Sequence, residues 1–328
     1  MFDYAGAIHI HTNYSMDGKR SVDDIVDSAK RCGLDFIVIN DHFTLGAKKY
    51  EGWYRGVLVV VGEEISPRYN HYLAFGIDRP VLAESDSVKP QAFIDEVNSQ
   101  GGFGFIAHPD HAGNKLFKVK DYRWNDWSVT GYTGFCIWDL QNDWQITLTN
   151  YFQALLSYHF PAHYLRGPKK ETLARWDEAN RGGKFYGIGE VDNHETIKEY
   201  FGMKFKIFPF DFAFRTIRTH LVVEEPFAGN CEDVKKVLAA LKNGRCYVSN
   251  DYFEDAKKFR FYQRGNEIIA HTPKKSLIRI IKNGEKFLEK FEDNLSFKIK
   301  EKGFYRCECY LKKMVLRPWI FSNPVFVE

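Results

Sequence analysis

The sequence predicts an α/β fold followed by a smaller all-β region, and three observations carry that expectation. Short, wholly apolar runs recur through the first two hundred residues, as in Phe36–Ile39 and Leu58–Val61, the composition of parallel strands buried on both faces. Most of these runs end in a histidine or a carboxylate, with helical periodicity between several of them. Past about residue 253 that rhythm stops, and short alternating runs separated by Asn283-Gly284 and Lys302-Gly303 take over, the signature of antiparallel strands joined by tight turns. The expected division is therefore 1–252 for the α/β part and 253–328 for a sandwich-like all-β domain.

Taken in order, Ala7–Ile10 is a strand that leads to His11, Asp17 and Gly18. Ser21 can cap a helix whose stripe is Val22, Ile25, Val26 and Ala29, with Gly33 ending it. Strands follow at 36–40, 58–61 and 72–77, then a helix from Lys89 to Gln100 and a strand at 103–107 running into His108-Pro109-Asp110-His111. A basic, Trp-bearing loop spans Lys115 to Trp127, before a strand at 135–138. A helix around Ile146–His159 places Leu148, Phe152, Leu155 and Leu156 on one face, and another runs from Glu171 to Arg181. The strand 184–189 delivers Glu190, Asp192 and His194.

With 328 residues the chain can bury a barrel-sized core and a second, smaller one. A formal net charge of +3 is too mild to imply nucleic acid or an anionic membrane as the main partner. No apolar span is long enough for a transmembrane helix, and the first motif begins too near Met1 for a signal peptide. A cytoplasmic location is the expectation. The six cysteines form no C-x-x-C pair, so reduced thiols are expected rather than a disulfide framework.

Function is expected where the strand ends converge. In an extended strand His9 and His11 point to one side, and Asp17 follows six residues on. Two imidazoles and a carboxylate suit a divalent ion held by nitrogen and oxygen. The same event recurs at His42, Glu64, His108 and Asp192/His194, and in α/β barrels the carboxyl ends of strands form the catalytic face.

These motifs resemble those of the polymerase-and-histidinol-phosphatase (PHP) family of metal-dependent phosphoesterases. The matching stretches are H-I-H-T-N-Y-S-M-D-G at 9–18, N-D-H at 40–42, G-E-E-I-S at 62–66, H-Y-L-A-F-G-I at 71–77, A-H-P at 107–109 and V-D-N-H at 191–194. R-G-P-K-K-E-T-L-A-R-W-D at 166–177 and R-P-W-I-F-S-N-P at 317–324 make the chain similar to a stand-alone subgroup, often grouped with carbaryl-hydrolase-like metallohydrolases. The resemblance implies a distorted (β/α)7 barrel with two or three divalent ions, commonly zinc, manganese or iron. Carried over, His9, His11, Glu64 and Asp192 would hold the first metal; Glu64 would bridge to a second, bound by His71 and His108; Asp17, His42 and His194 would hold a third. Glu63 competes with Glu64 for the bridging role, and the Ile-Ser pair that follows favours Glu64. Three positions depart from the common pattern: Asp17 stands where some members have His, Asn40 replaces a frequent Thr, and Val191-Asp192-Asn193-His194 replaces Ser-Asp-Ala-His.

The expected activity is hydrolysis of a small phosphomonoester or a nucleotide by metal-activated hydroxide, with Glu64 and Asp192 essential. A carbamate or carboxyl-ester hydrolase on the same barrel is the alternative, and a non-catalytic regulatory module the third reading. His111 is a candidate for protonating a leaving group, and Lys19, Arg20, Arg68 and Lys115 for meeting a phosphate. Asp41 and Asp110 are candidates to orient the imidazoles. The expected partner is a small phosphorylated molecule, with nucleic acid confined to a nucleotide or short oligonucleotide substrate. Nothing in the sequence bears on the oligomeric state.

Overall fold

The protein is described here from a computed structural model, which covers residues 1–83, 87–200 and 202–328. One sheet runs through it in the order Arg260–Arg264, Glu267–Lys282, Gly303–Lys312, Leu316–Ser322, Cys246–Asn250, Ile217–Val223, Phe2–Ile10, Phe36–His42, Val57–Ile65, Tyr72–Phe75, Phe103–Ile106, Gly134–Asp139 and Tyr186–Glu190. The seven strands from Phe2–Ile10 onward form the α/β part. They are parallel except Tyr72–Phe75, which is antiparallel to both neighbours. Their apolar residues are buried on both faces by helices and loops, as the runs required.

At their carboxyl ends the outermost strands approach each other. The Val191 amide donates to the Ile8 carbonyl (3.0 Å), Asn193 to His9 (3.3 Å) and His11 to Asn193 (3.1 Å). Over Phe2–Gly6 the first strand is instead paired antiparallel with Ile217–Val223. The seven strands thus bend round at the end that carries the motifs, but a closed barrel ladder is not formed along their length. A switch of partner along the first strand explains the difference.

The helix Val22–Arg31 starts where its capping signal lies, with the Asp24 amide donating to Ser21 Oγ at 3.2 Å. The expectation for Ile146–His159 is corrected. The helix begins at Tyr151, and Leu148 is buried ahead of it, while Phe152, Leu155 and Leu156 are exposed, Phe152 by 72 %. The amphipathic stripe exists, but among the described residues nothing buries Phe152, Leu155 or Leu156. Strands Ile217–Val223 and Cys246–Asn250 and helix Glu232–Lys242 had no counterpart in the sequence reading.

The C-terminal strands are antiparallel, as their alternation required. The sixteen-residue strand Glu267–Lys282 shifts register between His271 and Ser276. Its first part pairs with Arg260–Arg264 and its later part with Gly303–Lys312. The bent sheet wraps its own core of Ile268, Ile278, Ile280, Cys307, Cys309 and Trp319. It is not detached from the α/β part, because Leu316–Ser322 pairs with Cys246–Asn250. A buried bidentate pair adds a second tie: Arg306 Nε and Nη2 each lie 2.7 Å from the Asp177 carboxylate on helix Lys170–Gly182. Among the described residues no disulfide forms, and four of the six cysteines are buried.

Candidate metal centre

All nine residues expected as ligands gather at the carboxyl ends of the α/β strands, in three overlapping groups. These are His9, His11, Glu64 and Asp192; Glu64, His71 and His108; and His11, Asp17, His42 and His194. Within each group the ligand atoms lie within 4.8 Å of one another. The grouping differs from the expected one at a single point. His11 stands within reach of two groups, although one imidazole nitrogen has a lone pair for only one ion.

The backbone brings these side chains together by breaking strand regularity. The ladder of the first strand bulges between Ile8 and Ile10, and His9 has φ 69°. Simple strand alternation therefore names the right neighbours for an incomplete reason. His108 (φ 26°) and Asp192 (φ 44°) are also in the left-handed region. Non-glycine residues held there cost about 1–3 kcal/mol each and concentrate at functional sites. Past His11 the chain folds back sharply: a Cβ on Gly18 would lie 2.0 Å from the Thr12 carbonyl oxygen. That close approach returns Asp17 to the strand ends, where its Oδ2 stands 3.2 Å from His42 Nε2 and 3.1 Å from His194 Nε2.

Glu64 is the hub. Its Oε2 lies 3.1 Å from His9 Nε2, 3.4 Å from His11 Nε2 and 3.0 Å from His42 Nδ1; its Oε1 lies 2.8 Å from His71 Nδ1 and 3.3 Å from His108 Nε2. Glu63, one position along the strand, points to the opposite side and accepts a hydrogen bond from the Val81 amide at 2.9 Å. Burial raises its carboxyl to about 7.

Other groups hold the imidazoles. Glu190, fully buried, accepts at Oε2 from His9 Nδ1 (2.7 Å) and at Oε1 from the His108 amide (2.7 Å). Ser66 Oγ is 2.6 Å from His42 Nδ1, and the Asp192 carbonyl 3.2 Å from His194 Nδ1. The two carboxylates expected in this role act elsewhere. Asp41 braces the loop after His11 through the Thr12 amide (2.6 Å) and hydroxyl (2.7 Å). Asp110 accepts from Thr172 Oγ1 at 2.8 Å, fixing a helix. Glu190 lay in view as a strand-end carboxylate; only its distance from Asp192, two residues on, hinted at a separate task.

The electrostatics are those of a crowded, dry cluster. Burial, then the nearby His194 and His42, pushes His11 down to about 3. Burial alone would also depress His42 and His108, but Glu64 and neighbouring carboxylates raise them to about 10 and about 9. Glu64 is buried, which opposes ionisation, yet His9, His42 and His71 hold its carboxylate well below the usual range.

This donor set fits divalent ions. His9 Nε2, His11 Nε2 and Glu64 Oε2 are buried and face one another, yet have no hydrogen-bond partner among the described residues. Buried polar atoms are rarely left so, and a shared cation would satisfy all three. Nitrogen and oxygen donors suit zinc, manganese or iron.

The remaining candidates are dispersed. His111 is buried, its Nε2 2.8 Å from Gln145 Oε1, and burial beside His108 lowers it to about 4. Arg20 is held by Glu195 at 3.0 Å. Lys19 and Lys115 are exposed. Arg68 lies over the Tyr69 ring, its guanidinium carbon 4.3 Å from the centroid.

The fold and site together define an α/β protein with a buried cluster of histidines and carboxylates suited to divalent ions. Residues 7–107 match the family model of the PHP domain. The match includes His9 to His71 and stops before His108. No curated protein matches the sequence significantly. Among solved structures, the chain is similar to a two-domain protein of Bacteroides vulgatus containing a predicted PHP-like metal-dependent phosphoesterase. The two are 15% identical over 99% of this chain and 88% of that one, with a TM-score of 0.47. It is also similar to a proposed metal-dependent phosphoesterase of Bifidobacterium adolescentis, 15% identical over 72% of this chain and 96% of that one, with a TM-score of 0.40. At these scores neither likeness bears on activity. Among the described residues no helix is long and apolar enough to cross a membrane.

Proposed function

We propose that this chain is a metal-dependent phosphoesterase that hydrolyses a small phosphomonoester or a nucleotide. The observation that supports it most is the surrounding of one buried carboxylate, Glu64, by nitrogens of His9, His11, His42, His71 and His108 at 2.8–3.4 Å. In this reading Glu64 belongs to two ligand groups, and His9, His11 and Asp192 with it would hold one ion while His71 and His108 with it would hold another. Asp17, His42 and His194 serve a third. Nine ligands over three positions leave sites open for water and substrate, which distinguishes a catalytic from a closed structural centre.

Bound divalent ions supply a nucleophile from water at neutral pH and neutralise phosphoryl oxygens. The chain's own residues do the rest. Glu190 fixes the His9 tautomer so that Nε2 faces the centre. Ser66 meets His42 at Nδ1 and so helps to hold that ring, whose Nε2 faces Asp17. His111 is buried with Nε2 on Gln145 Oε1, and burial beside His108 favours its neutral form.

The test uses one metal-loaded sample against p-nitrophenyl phosphate and a p-nitrophenyl carbamate ester. Phosphate release that E64A abolishes supports the proposal. Turnover of the carbamate alone would replace it with an ester hydrolase on the same centre, and turnover of neither with a binding module.

A further inference from the structure

Two stretches of the sequence contribute no ligand to the centre: R-G-P-K-K-E-T-L-A-R-W-D at 166–177 and R-P-W-I-F-S-N-P at 317–324. Each opens on an arginine, and the fold brings the two openings together. Gly167 has φ 100°, and a Cβ on it would lie 2.7 Å from Pro318 Cγ. Glycine alone suits that position, so the residue after Arg166 packs on the residue after Arg317.

Beside this contact lies a cleft of about 420 Å³, between residues 153–166 and the C-terminal sheet. Its volume falls within that of small-molecule sites, about 300–1,000 Å³. None of the nine ligand residues lines it.

Arg166 and Arg317 both line the cleft, and both keep donors to spare. The Arg166 side chain is exposed and makes no hydrogen bond or ion pair among the described residues; only its amide is engaged, donating to Asp143 at 2.9 Å. Arg317 is held in place. Its Nη1 donates to the His163 carbonyl at 2.6 Å, and its guanidinium carbon is 5.5 Å from the Phe253 ring centroid. No carboxylate pairs with it among the described residues. Arg279, a third lining residue, is already matched: Nε donates to Glu289 at 2.6 Å, and Nη1 lies 3.5 Å from Glu308. Glu308 is also engaged by Arg306, so neither carboxylate is free to neutralise the other two arginines.

The rest of the lining is largely apolar. Leu165 is buried at its base, while Val315 and Leu316 are 56% and 51% exposed. A planar guanidinium fork matches the paired oxygens of a carboxylate or a phosphate. Open apolar side chains beside two unpaired forks complement a molecule that carries such a group on an apolar body.

We propose that this cleft is a second binding site, separate from the metal centre, for a small organic oxyanion. Arg166 and Arg317 hold its carboxylate or phosphate oxygens, and Leu165 and Leu316 cover its apolar body. The inference is independent of the phosphoesterase reading.

Metal-loaded wild type, R166A, R317K and L316S are titrated by calorimetry with benzoate and with phenylphosphonate, and metal content is measured on each. R166A keeps the amide bond to Asp143 and removes no side-chain bond of the fold. R317K keeps the charge and loses the planar fork. Wild type should bind at least one probe, with a Kd about tenfold weaker in R166A, severalfold weaker in R317K and about fourfold weaker in L316S, at unchanged metal content. Benzoate alone would assign a carboxylate ligand, phenylphosphonate alone a phosphate, and both together the oxyanion they share. Benzyl alcohol has the ring without the charge and should not bind; affinity equal to that of benzoate overturns the role of the arginines. A wild type that binds neither anion overturns the site. So does a Kd within about twofold of wild type in R166A or L316S, the result expected if the probes bind only at the metal centre.

Discussion

Glu190 Oε2 stands 2.7 Å from His9 Nδ1, and its other oxygen accepts the His108 amide at the same distance. One buried carboxylate thus fixes two segments whose ligands have positive φ. Supports of this kind change metal affinity about 10–100-fold when removed. E190A should therefore weaken zinc binding by about that factor in a chelator-competition titration, with E190Q intermediate because its amide oxygen can still accept. Affinity unchanged in both variants would remove Glu190 from this role.

The tie between the C-terminal sheet and the α/β part rests in part on Arg306 and Asp177. Arg306 is buried and also lies 2.6 Å from Glu308. Removing one member of a buried pair leaves an uncompensated charge and costs about 3–5 kcal/mol. D177A should lower stability by that order in denaturant unfolding, and R306M combined with D177L and E308Q, which leaves no buried charge at the junction, should recover much of it. A D177A cost below about 1 kcal/mol would mean that the strand pairing carries the junction alone.

His220 is buried between Asp3 and Asp251, its Nδ1 3.0 Å from one and its Nε2 3.1 Å from the other. Burial disfavours its charge, but Asp251 and Asp3 overcome that and raise it from 6.5 to about 9. A raised folded-state pKa gives stability that is fully present below the ordinary imidazole range and is lost as pH rises through about 9. The Tm advantage of wild type over H220Q should shrink between neutral pH and about pH 9.5. A difference that stays constant over that window would show His220 to be neutral when folded.

The positions that were legible in the sequence are those whose chemistry is local. His9, His11, His42, Glu64, His108, Asp192 and His194 each end an apolar strand, so one rule of strand ends locates them. Glu190 and Ser66 act across the fold, and nothing in their own neighbourhoods says which imidazole they meet. Arg166 and Arg317 stand in two separate motifs, and nothing local says that they line one cleft. Ile217–Val223 was hidden because Arg218 and His220 interrupt its apolar run; both are buried in ion pairs. The stripe on Tyr151–His159 misled for the opposite reason, since periodicity reports an apolar face and not whether anything covers it.

That uncovered face yields a contrast. Substituting F152S removes exposed surface and should change stability by less than about 0.5 kcal/mol. W176A, in contrast, empties a fully buried site and should cost about 3–5 kcal/mol. Equal costs in thermal unfolding would mean that Phe152 is packed in solution.

The central claim is that one carboxylate joins two of three adjoining ion sites. Elemental analysis of metal-loaded wild type, E64A and D17A tests it most directly. Wild type should hold two or three equivalents of zinc, manganese or iron. E64A should lose more metal than D17A, because Glu64 belongs to two ligand groups and Asp17 to one. A wild type that binds no divalent ion, or an E64A variant that keeps the full complement, would contradict the account.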